Sequence, residues 1–123
     1  MGAPAGPHSY YLALAALELL VHIDPDLAPT DLVAIPTIVP ESTHIEEITL
    51  AELPPNWRST PAPEALQEIG TMWVRRASSL VLRVPSAVIP EEHNYLMNPA
   101  HADQVRLKAG RPQPFSFDPR LLR

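Results

Sequence analysis

Cysteine is absent from the 123 residues of this chain. That one absence excludes a disulfide framework, a thiolate zinc site, an iron–sulfur cluster and a cysteine nucleophile. Glycine is almost as scarce. The four that occur, Gly2, Gly6, Gly70 and Gly110, are too scattered to build a G-x-G-x-x-G turn or a P-loop, so any nucleotide bound here is held by another device. Long apolar runs are lacking as well: the longest, Tyr10 to Leu17, falls far short of the roughly 20 residues a membrane span needs. The opening MGAPAGPHS has no basic segment of the kind that begins a secretory signal. Nor is there an excess of positive charge. With 9 basic against 14 acidic side chains the net charge is −5, and neither nucleic acid nor an anionic membrane surface attracts such a chain as a whole. These absences lead us to expect a cytoplasmic protein that contacts neither nucleic acid nor membrane directly.

What is present is a globular composition. Hydrophobic residues make up 46% and charged residues 19%, enough apolar surface for a core and too little charge for disorder. The length suits one compact domain. Proline is abundant, at 16 residues, against a usual share of about 5%. These prolines are spread along the chain, which predicts short elements joined by stiff turns. No internal repeat is evident.

The pattern predicts an irregular segment over residues 1–11, with Ser9 available to cap the helix after it. Tyr10–His22, rich in Leu and Ala and free of Gly and Pro, reads as a helix ended by Asp24-Pro25. Leu32–Val39 is short, β-branched and bounded by prolines, and reads as a strand with an edge or bulge at Pro36. Ile45–Leu50 is a weaker strand. Leu53–Arg58 is a turn with Trp57 as its aromatic anchor. Pro63–Arg76 carries Leu66, Ile69 and Trp73 on one face and reads as an amphipathic helix. Leu80–Val88 has the strongest strand signal, Pro90–Pro99 reads as a polar loop, Val105–Lys108 as a further strand, and Phe115–Arg123 as a tail with apolar anchors. The fold class is therefore mixed α/β, of the α+β kind.

Few residues stand out chemically. Glu18 is the only charge between Tyr10 and Val21. On a helix apolar all round, such a carboxylate is either paired or aimed into a wet cavity, unless it marks a narrow solvent stripe. His22 shares its face one turn on, where it either joins Glu18 in holding a ligand or meets the helix dipole. Ser86 follows Pro85 in a strand interrupted by proline and lacks a G-x-S-x-G elbow. Asn94 and Asn98 read equally as turn formers. His93 and His101 have no recognised ligand spacing with His22, which leaves a metal-dependent hydrolase poorly supported. Glu46-Glu47 and Arg75-Arg76 read as solvated surface. Eight of the nine basic residues are arginine, which suits bidentate phosphate recognition, although codon bias explains the ratio equally well.

A set of blocks occurs in one order: Ala15–His22, Pro29–Val33, Leu53–Arg58, Ile69–Trp73, Val84–Val88, Asn94–His101 and Phe117–Leu121. From about Leu12 to the C-terminus this ordered set resembles the RES-domain toxins. The resemblance implies a RES domain over residues 12–123 with a fold like that of the ADP-ribosyltransferases. It implies the toxin of a bacterial type II toxin–antitoxin pair, which destroys NAD by cleaving its nicotinamide–ribose bond with phosphate or water as acceptor. NAD is then substrate, phosphate a possible co-substrate, and no resident cofactor or metal is expected. The implied partners are an Xre-like antitoxin and a second copy of the chain in a homodimer. Carried over by position, Glu18 matches the catalytic glutamate and Ser86 the active-site serine. Tyr11, His22, Arg83, Asn94 and Asn98 complete the residues expected at the substrate.

The chain departs from the family pattern ahead of the glutamate helix. The family's arginine has no counterpart there, since the first arginine is Arg58, and Tyr10 and Tyr11 stand closer to Glu18 than the family's tyrosine does. The expectation is a RES domain without its first strands, with Arg83 as a substitute cation for phosphate. A catalytically inactive module that keeps antitoxin or self association is the alternative.

Overall fold

A computed structural model describes residues 12–123. The expected Ser9 cap and Tyr11 lie outside the described residues. Helices and strands mix in one chain, in agreement with the α+β class, and they group into two compact units. One is formed by residues up to Val39 together with Leu107–Arg123, the other by Pro40–Arg106.

In the first unit, helix α1 spans Leu12–Leu20, nine residues of Leu, Ala and Glu with high intrinsic helicity. Its apolar surface is not wholly covered. Leu14 is buried, Leu17, Glu18 and Leu20 are half-buried, and Leu12 and Leu19 are exposed. The helix ends at Leu20, short of the expected His22, and tight turns (His22 amide to Leu19 O, Ile23 amide to Leu20 O) carry the chain on to Asp24-Pro25. The Asp24 carboxylate accepts from the Asp26 amide at 2.9 Å and so caps a single 3-10 turn, Pro25–Leu27.

The expected strand Leu32–Val39 divides into two. Strand β1, Val33–Ala34, and strand β2, Thr37–Ile38, flank Pro36, which has no N–H to continue a ladder. They also take different partners. In unit two, strand β3 is Ile45–Glu47, β4 is Val81–Pro85 and β5 is His93–Met97. Late in the chain come β6, Lys108–Ala109, and β7, Gln113–Pro114. Strand β1 pairs antiparallel with β7, Val33 opposite Pro114, and β2 with β6, Thr37 opposite Ala109. Residues Ala102–Arg106 form a 3-10 helix, so the strand expected at Val105–Lys108 shrinks to the two residues of β6. Phe117 is buried and meets Phe115 edge to face at 5.2 Å between ring centres.

Gly110 is required where β6 ends. Its amide donates to the Pro36 carbonyl at 2.6 Å, and a Cβ there would lie 2.9 Å from Pro36 Cγ and 3.1 Å from Pro36 O. Gly110→Ala should therefore cost about 1–3 kcal/mol by forcing the β2–β6 ribbon apart. Urea unfolding checks this, and an unchanged midpoint would show that the ribbon yields freely.

The second unit holds the three-stranded sheet in the order β3-β4-β5. Strands β3 and β4 run parallel, which requires a crossover, and helix α2, Glu64–Arg76, supplies it. The helix begins after Pro63 and ends at Ala77, whose φ of 49° places it in the left-handed region. Strand β5 occupies the segment expected to be a polar loop. It pairs antiparallel with β4 along its whole length, from Val81 opposite Met97 to Pro85 opposite His93.

The core of this unit is Trp73, Leu80, Val81 and Leu82. Trp73 Nε1 donates to Ser79 Oγ at 2.9 Å, and Ser79 Oγ donates to Val81 O at 3.1 Å, so both buried polar groups are satisfied. No helix among the described residues is long and apolar enough to cross a membrane.

Candidate functional site

Glu18 belongs to the first unit, on α1, where it is half-buried. Neither a fully buried carboxylate nor a fully exposed one is observed. His22 lies just beyond the helix and is exposed, its amide donating to Leu19 O at 3.0 Å. Arg83, Ser86, Asn94 and Asn98 belong to the second unit.

Ser86 follows β4 directly and is 0% exposed. Its Oγ accepts from the amides of Val88 at 3.1 Å and Ile89 at 3.0 Å. Its own amide donates to Glu92 O at 2.9 Å, and the Glu92 amide to Ile89 O at 2.9 Å. A hydroxyl has two acceptor positions and one proton. With both acceptor positions taken by the amides of its own turn, the Ser86 hydroxyl is held in place and the geometry does not suit a nucleophile. One further tie reaches this turn: Arg58 Nε donates to Ala87 O at 2.9 Å.

Asn98, expected at the substrate, is likewise 0% exposed. Its Nδ2 donates to Val74 O at 3.1 Å and its Oδ1 accepts from the Ala100 amide at 3.0 Å. Its amide donates to Leu80 O at 2.9 Å. The side chain thus latches the last turn of α2 to the chain leaving β5. Asn94 is half-buried in the middle of β5, opposite Val84.

Arg83 sits at the centre of a cluster that the sequence did not reveal. Parallel register puts Glu47 of β3 opposite Arg83 of β4, and the Arg83 Nη1 group donates to the Glu47 carboxylate. From the other side Arg83 Nη2 lies 3.1 Å from His93 Nδ1 on β5. Arginine only donates, so Nδ1 must accept, and the neutral imidazole carries its proton on Nε2. Burial, and then the Arg83 charge, hold the His93 pKa below its ordinary value, while Glu47 opposes them. Glu46, on the other face of the sheet, accepts from Ser78 and lies 3.6 Å from Arg76. The Ser78 bond chiefly lowers its pKa. The Glu46-Glu47 pair, read as plain surface, thus ties β3 to two other elements.

The sign of the His93 effect fixes its consequence. Below the ordinary imidazole pKa of about 6.5, unfolded chains take up a proton that the folded chain refuses. This contribution to stability is present above that pH and is lost as pH falls toward the folded value. Arg83→Gln should raise the His93 pKa only partway, because burial is the larger cause. A pH titration of the ring protons by NMR checks it, and an unmoved midpoint would show that the Arg83 charge has no effect on the ring.

His101 Nδ1 accepts from the Asp103 amide at 3.0 Å. Among the described residues no three His, Asp or Glu side chains converge to hold a metal ion.

Comparison with known proteins agrees with the ordered blocks. The RES domain matches residues 8–118. The chain is 42% identical over 121 residues to the protein named Toxin Res of Yersinia enterocolitica, an alignment covering 94% of this chain and 79% of that one. It is 34% identical over 113 residues to the Prs ADP-ribosylating toxin of a Sphingobium species, covering 90% of this chain and 70% of that one. A Toxin Res of Photorhabdus laumondii is 32% identical over 124 residues, covering 100% of this chain and 79% of that one.

Proposed function

The chain belongs to the RES-domain family, and from that membership we propose that it is an enzymatic toxin that degrades NAD by breaking the nicotinamide–ribose bond. The family match carries this reading, and we take Glu18 as the catalytic glutamate by its position in the resemblance. Relatives named as toxins, one of them as ADP-ribosylating, support it.

The residues suit the chemistry. Nicotinamide in NAD is already cationic, so it departs as a neutral leaving group without a strong acid. The ribose left behind passes through an oxocarbenium-like state, and a carboxylate stabilises that charge and orients the sugar hydroxyls. Glu18, the one acidic side chain of an otherwise apolar helix, would fill that role. Ser86, whose Oγ is held by two amides of its turn, contributes by positioning the substrate or the acceptor and not by attack. Water or phosphate completes the reaction at the ribose carbon.

A toxin of this kind calls for a partner that silences it, and an Xre-like antitoxin fits the reading, as does assembly into a homodimer. The experiment is NAD loss over time with purified protein, with and without added phosphate. Loss that depends on phosphate establishes a phosphorylase, and loss in either buffer a hydrolase. No loss in any condition removes the enzymatic reading and favours a binding module.

A further inference from the structure

The arginines of the second unit are of two kinds. Arg76 faces Glu46 and Arg83 faces Glu47 across ion pairs. Arg58, Arg75 and Arg106 have no carboxylate within ion-pair distance among the described residues. Of these three, Arg58 is the one whose side chain is anchored on a segment distant in sequence, through Nε to Ala87 O at 2.9 Å.

That bond leaves a specific object. A guanidinium has five N–H donors in a planar fork. One is committed to Ala87, and the four on the two Nη groups, on an exposed side chain, meet no partner among the described residues. Both ends of its support are rigid. The Trp57 amide donates to Pro54 O at 3.0 Å and the Ser59 amide to Asn56 O at 2.9 Å, which fixes the main chain on either side of Arg58. In the turn that Arg58 grips, Ser86 Oγ ties down Val88 and Ile89. A cation held this way loses little side-chain freedom on taking a ligand, and its fork matches two oxygens of a phosphate. Arg83 offers less, because its charge is already met by Glu47.

We infer that Arg58 is a phosphate-binding residue, its Nη groups taking oxygens of a phosphate group beside the turn that carries Ser86. Which phosphate it takes rests on the NAD reading: the pyrophosphate of the dinucleotide, or inorganic phosphate as acceptor.

The test has two parts. Kinetics compare the full chain with Arg58→Gln and Arg58→Lys, with Arg75→Gln as control. Losing the charged fork should raise a KM about 10–100-fold in Arg58→Gln with kcat little changed. Arg58→Lys, which keeps the charge but not the fork, should fall between. A raised KM for NAD alone identifies the pyrophosphate, and a raised KM for phosphate alone identifies the acceptor. Both constants within about twofold of the parent would overturn the inference. The second part needs no turnover and no variant. The Arg58 side-chain Nε–H resonance of the parent is followed by NMR while inorganic phosphate, and separately ADP-ribose, is added. A saturable shift with either supports the site. Absence of any shift with both overturns it, even if the parent proves unable to consume NAD, in which case the enzymatic reading fails on its own.

Discussion

Glu18→Ala should slow NAD loss on the order of a thousandfold, the scale seen when one preorganised group facing a transition-state charge is removed. The fall should appear in kcat, with the KM for NAD changed far less, because in the proposed reaction the carboxylate would meet a charge that develops only as nicotinamide departs. Glu18→Gln should be nearly as slow, since the amide keeps the shape and loses the charge. Stability should barely move, for the side chain is half-buried and not part of the core. Initial rates of NAD loss, measured beside thermal unfolding, check both statements. A Glu18→Ala protein as active as the parent would remove Glu18 from the chemistry.

Asn98→Ala should do the opposite and unfold the second unit more readily while touching no chemistry directly. It removes the donor to Val74 O and the acceptor for the Ala100 amide at a position that is 0% exposed. Each group left unsatisfied in a buried place costs about 1–3 kcal/mol, so the pair should cost about 2–4 kcal/mol. The melting temperature should fall by roughly 10 °C or more. Asn98→Asp should fare no better, since it keeps the acceptor and buries a charge opposite a carbonyl. Calorimetry decides between the two roles of this residue. Lost activity with an unchanged melting temperature would mark Asn98 as a substrate contact, and lost activity in step with lost stability marks it as a latch.

The elements with a strong local signal were legible in the sequence. Helix α2 carries its period in Leu66, Ile69 and Trp73, and β4 is a nearly unbroken apolar run that the fold buries at Val81 and Leu82. What escaped is decided by partners distant in the chain. His93–Met97 looks polar by itself and becomes a strand because β4 lies beside it. Val105 promised a strand, yet the ribbon partner of β2 begins only at Lys108. The same holds for the side chains. Glu18 stands out as a lone charge in an apolar segment and needs no register to be noticed. The contact of Arg83 with Glu47 and His93 depends on how three strands align, and that of Arg58 with Ala87 on a turn folding over a strand end. Neither spacing is a motif.

The ribbons of the first unit have a consequence for the order of events during synthesis. Strand β1 waits for β7 and strand β2 for β6, partners separated in sequence by the entire second unit. The sheet β3-β4-β5 needs nothing beyond Met97 and can close while the ribosome is still translating. The unit that carries Glu18 cannot join its strands until Pro114 has emerged. A nascent chain therefore holds a finished turn around Ser86 well before its ribbons close, and long-range pairing makes this closure the slow step.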